Sequence, residues 1–79
     1  MGKIRYSSDL DSVKVGDQLY LKYTHGLTEI VKVTRISKTL ITDEKGHRWR
    51  KFDGRESGYR WSRATMAHWS AYKFIARTP

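Results

Sequence analysis

Val13-Lys14-Val15-Gly16-Asp17-Gln18-Leu19-Tyr20-Leu21-Lys22-Tyr23 joins a Gly-Asp turn to an alternating run. In an extended chain Leu19, Leu21 and Tyr23 fall on one face and Tyr20 and Lys22 on the other, the period of a half-buried strand. Next, Thr24-His25-Gly26-Leu27-Thr28 predicts a loop in which Gly26 is free to take positive φ. Glu29 to Ser37 predicts a second strand, with Val31 and Val33 on one face and Ile30 and Ile36 on the other. A phase slip at a bulge is expected there, a device of strongly curved sheets.

Further along, Lys38-Thr39-Leu40-Ile41-Thr42 predicts a third strand and Asp43-Glu44-Lys45-Gly46 its turn. The return strand, His47 to Phe52, sets His47, Trp49 and Lys51 on one face and Arg48, Arg50 and Phe52 on the other. Asp53 to Gly58, with two glycines, reads as a shaped loop, and Tyr59 to Thr65 as a last short strand. Met66 to Arg77 reads as a helix or irregular tail, because Trp69, Tyr72 and Ile75 or Ala76 recur at helical spacing. Residues 1–12 read as a loosely ordered lead-in that Ile4, Tyr6 and Leu10 could pin down. The expected fold is therefore mainly β: a small closed or nearly closed barrel of four to five short antiparallel strands over 13–65, then a short C-terminal helix or tail over 66–79. A curved three-stranded sheet with that helix packed on its open side competes with it.

A chain of 79 residues with 38% hydrophobic content makes one small domain, and without cysteine it has neither a disulfide nor a thiolate metal site to supplement packing. The polar residues Ser7, Ser8, Asp9 and Asp11 interrupt the start of the chain, so no signal-peptide apolar region is expected there. No apolar run is long enough to span a bilayer as a helix, and a soluble intracellular protein is expected.

The formal net charge is +8, and no acidic residue follows Glu56. Residues 47–63 hold Arg48, Arg50, Lys51, Arg55, Arg60 and Arg63 against Asp53 and Glu56, a local excess of +4, interleaved with Trp49, Phe52, Tyr59 and Trp61. Cations in that density grip a phosphate backbone, and nucleic acid is the commonest partner of such a field. The plainer reading is a basic surface that keeps a small protein in solution. Arg outnumbers Lys five to one in the stretch, which suits bidentate contact with phosphate or guanine. Candidate binding residues are Arg48, Arg50, Lys51, Arg55, Arg60 and Arg63, with Tyr59 and Trp61 as stacking groups or, alternatively, core residues. Trp49, opposite in phase to Arg48 and Arg50, is expected in the core.

Catalytic constellations are absent from the pattern. His25, His47 and His68 are widely spaced with no metal-ligand motif, and Asp43-Glu44, adjacent in a polar turn, is expected to face water. Ser7, Ser8, Ser57 and Ser62 lack a nucleophile-elbow context, and there is no phosphate-binding glycine loop. Neither an enzyme nor a cofactor is expected.

The Val13-Lys14-Val15-Gly16-Asp17 turn and the strand after it resemble the entry strand of SH3-like barrels of the KOW and Tudor type. Over 13–58, Lys38-Thr39-Leu40-Ile41, Gly46-His47-Arg48-Trp49-Arg50-Lys51 and Gly54-Arg55-Glu56-Ser57-Gly58 resemble small, mostly uncharacterised bacteriophage-encoded proteins. In those proteins a Lys-Thr-x-Ile strand precedes a Gly-x-Lys-Phe-Arg-Arg strand and a Gly-Arg-Glu-x-Gly loop; Arg48-Trp49-Arg50-Lys51 stands here in place of Lys-Phe-Arg-Arg. The resemblance implies a viral origin, an SH3-like barrel and residence in a host cytoplasm, and carries no settled activity. Three roles are then open: binding DNA or RNA, docking on a host protein as an inhibitor or redirecting module through the Arg- and Trp-rich surface, or meeting the packaged genome in the virion.

Overall fold

The computed structural model describes residues 3–24, 26–57 and 69–78. They form six antiparallel strands: β1 Ile4–Ser7, β2 Gln18–Tyr23, β3 Thr28–Ile36, β4 Leu40–Asp43, β5 Arg48–Arg50 and β6 Trp69–Arg77. The strands lie in one open sheet of order β1-β6-β2-β3-β4-β5. The only helix among the described residues is a single 3-10 turn, Leu10–Ser12, and none is long and apolar enough to cross a membrane.

Turn chemistry ties the entry of β2 to β3. Lys14 N–H donates to the Asp17 carboxylate at 3.0 Å, and Gly16 N–H and Val33 N–H then tie the turn to β3. In β2, Leu19 and Leu21 are buried, as the alternation requires; Tyr20 is also nearly covered, because the Tyr6 ring of β1 lies 5.2 Å from it on the opposite face. Val31 and Val33 of β3 are 1% exposed, and the register with β4 shifts between Val33 and Arg35. That bulge carries the expected phase slip: Ile36, three residues after Val33, packs against the same core.

Two expectations are corrected at the ends of the chain. The C-terminal helix is a nine-residue strand, β6, over Trp69–Arg77. Its pairing with β2 through Tyr23↔Trp69, Leu21↔Ala71 and Leu19↔Lys73 supplies the backbone partners that helical spacing seemed to call for internally. The lead-in is not loose: β1 pairs with Lys73–Arg77, Tyr6 packs against Tyr72 at 4.9 Å, and Leu10 is 2% exposed in the core.

Barrel closure is also corrected, since the sheet remains open between its edges. Two single bridges, Trp49↔Glu56 and Arg55↔Ser70, lay the segment after β5 against both β5 and β6 without extending into a ladder. Gly54 makes that approach possible. Its N–H donates to Arg50 and its carbonyl accepts from Ala71, at a φ of +73°, and a Cβ there would sit 2.4 Å from the Ala71 carbonyl oxygen. The expected strand over Tyr59 to Thr65 lies outside the described residues.

The core is Leu10, Val13, Leu19, Leu21, Val31, Val33, Ile41, Trp49 and Ala71. One carboxylate sits within it. Asp43, expected to face water, is 1% exposed: its Oδ1 accepts from Lys45 N–H at 2.8 Å and His47 N–H at 3.1 Å, and its Oδ2 from the Trp49 indole at 3.0 Å. A buried carboxylate is tolerated only with such partners, and here three donors close the β4–β5 hairpin around it.

Candidate nucleic-acid interface

The β4–β5 hairpin positions the basic residues. Residue 49 points inward and its neighbours outward: Trp49 is 1% exposed, Arg48 is exposed and Arg50 half-buried. The strand is shorter than expected, because Lys51, Phe52 and Asp53 turn away after Arg50, with Lys51 N–H donating to the Thr39 carbonyl at 2.9 Å.

Across the sheet, Arg35 of β3 is registered with Thr42 of β4, and Thr42 with Arg48 of β5. The three therefore form one cross-strand row on the face opposite Trp49 and Val33, with the two arginines about 10 Å apart in the hydrogen-bonding direction. Neither guanidinium has an acidic partner among the described residues, and both residues are exposed. At that separation their mutual repulsion in water is only about 0.4 kcal/mol, small enough to be tolerated in the free protein. An anion above Thr42 would interact with both.

The next row is arranged differently. Leu40 is registered with Arg50, and the Arg55 carbonyl accepts from Arg50 N–H at 2.8 Å, which brings Arg55 alongside. Arg55 alternates with Glu56, the partner of buried Trp49, so it shares the outward face. Arg50 is already engaged: its Nε and Nη2 donate to the two oxygens of Asp53, and its guanidinium carbon lies 5.0 Å from the centre of the Phe52 ring. Asp53 Oδ1 also accepts from Arg55 N–H at 3.0 Å. Arg50 is therefore partly neutralised, and Arg48 is the freer of the two residues singled out from the sequence.

Of the remaining candidates, Lys51 lies half-buried beside Phe52, Lys38, Thr39 and Asp11 in a cleft just past the end of β5. Tyr59, Arg60, Trp61 and Arg63 lie outside the described residues. Arg35 went unnoticed in the sequence, because the bulge changes the phase of β3 just before it; the isoleucine at 36 following valines at 31 and 33 is the signal that would have found it.

His47 Nδ1 lies 3.3 Å from Glu56 Oε1. Among the described residues no group of three or more His, Asp or Glu is placed to hold a metal ion. Compared with known proteins, the chain matches no protein-family model, no curated protein and no solved structure.

Proposed function

We propose that the protein binds nucleic acid through the outward face of β3, β4 and β5, chiefly by contact with phosphates. The observation that carries this reading is the row Arg35–Thr42–Arg48, two exposed guanidinium groups flanking a hydroxyl with no acidic partner among the described residues. Unpaired arginines on a regular surface suit anions spaced along a chain, since each neutralised phosphate releases condensed counterions. Arg55 and Lys51 extend the same field, and Arg60 and Arg63, with Tyr59 and Trp61, belong to the proposed surface on the strength of the sequence. On the strength of the sequence resemblance to bacteriophage-encoded proteins, the setting proposed for this activity is the cytoplasm of an infected host.

Anisotropy of labelled random-sequence nucleic acid, titrated with protein over a range of salt, tests the reading. Binding is expected whose log affinity falls linearly with the logarithm of salt concentration. No binding at low salt, together with a host protein retained from nuclease-treated lysate, would replace this reading with the protein-docking one.

A further inference from the structure

We infer that Phe52 is a base-stacking platform, and that the ligand of the basic face is single-stranded nucleic acid; this rests on the phosphate-binding reading above. Phe52 stands at the turn after β5 and is 83% exposed, the largest exposure among the large hydrophobic residues described. A single exposed aromatic is unremarkable by itself. Here a second observation gives it direction. The Arg50 guanidinium lies over the ring, 5.0 Å from its centre, and is held there by both carboxylate oxygens of Asp53. A planar cation thus braces one face of the ring, and the high exposure leaves the opposite face to solvent.

The surroundings suit a nucleotide. Lys38 and Lys51 line the cleft beside Phe52, with Thr39 and a single acid, Asp11. Arg48 precedes Arg50 by two residues on the same strand face, about 7 Å away, comparable with the reach of one extended nucleotide. A base lying on Phe52 would carry its phosphates toward these cations. In a duplex the base faces are already stacked on one another, so only an unpaired base reaches an aromatic platform; stacking of this kind tolerates any base.

The test compares wild type, Phe52→Ala and Phe52→Trp by anisotropy against labelled oligothymidylate, oligouridylate and a duplex of equal length. Phe52 contributes nothing to the buried core, so unchanged thermal midpoints are expected for both variants. Phe52→Ala should weaken single-strand binding by about tenfold to a hundredfold while leaving duplex affinity unchanged, and Phe52→Trp should retain single-strand affinity. Tighter binding of oligouridylate or oligothymidylate would identify RNA or DNA as the preferred source of the strand. Should Phe52→Ala leave single-strand affinity intact, or lower single-strand and duplex affinity equally, the platform is wrong and the phosphate-binding face stands. Should wild type bind none of the three at low salt, the face itself is wrong and the platform falls with it.

Discussion

The indole N–H of Trp49 donates to the buried carboxylate of Asp43 at 3.0 Å, across the hairpin that presents Arg48 and Arg50. The turn sequence Asp43-Glu44-Lys45-Gly46 is thus tied from inside as well as by its backbone, with Gly46 N–H donating to the Asp43 carbonyl at 3.0 Å. The hydrogen bond fixes which face of β5 is outward.

Replacing Asp43 by Ala should cost about 2–5 kcal/mol, because the Trp49 indole and the N–H groups of Lys45 and His47 all lose their acceptor. Asp43→Asn should also destabilise, since its amide nitrogen must oppose a donor at one of the two positions. Guanidinium denaturation of each variant measures the loss. Trp49→Phe isolates the indole bond, and a double-mutant cycle with Asp43→Asn should return a coupling of about 0.5–3 kcal/mol.

The expected folding pattern was readable where interactions are local. The alternation in Gln18–Tyr23, the Asp43–Gly46 turn and the inward Trp49 all depend on neighbours within a few residues, and all appear in the sheet. β6 was not readable, because Trp69, Tyr72 and Ile75 satisfy a helical period while the strand is held by β2, nearly fifty residues earlier, and by β1 at the opposite end of the chain. Its inward position at residue 71 is an alanine, which gives little periodic signal. Asp43 misled for a related reason: an acid in a turn reads as solvated unless the indole six residues on is known to share its face.

Two glycines with positive φ should respond differently to the same change. Gly46→Ala, at φ +87° with open space around the added carbon, should cost roughly 1–3 kcal/mol from backbone conformation alone. Gly54→Ala meets that penalty and a carbonyl oxygen at 2.4 Å, and should therefore be the more damaging. Thermal midpoints of the two variants decide it, and equal losses would mean that the segment can withdraw from β6.

Single arginine removals should rank by freedom from internal partners. Arg48→Ala and Arg35→Ala should each reduce the slope of log affinity against log salt by about 1, with binding weakened across all sequences. Arg50→Ala should change the slope less, since Asp53 already neutralises much of its charge. Anisotropy titrations at several salt concentrations measure all three, and a larger effect at Arg50 would reverse the ranking.

Asp53 holds the Arg50 fork in the way a phosphate would. An anion arriving over Arg48 is therefore added to the protein, whereas one that takes the Arg50 fork must be exchanged for a carboxylate already there. The first gain is a full interaction; the second is only the difference between two anions, and it leaves Asp53 with the Arg55 backbone N–H as its remaining partner. Occupying the fork would thus exchange the side-chain tie between Arg50 and Asp53 for a ligand, while occupying the Arg35–Arg48 row would leave that tie intact.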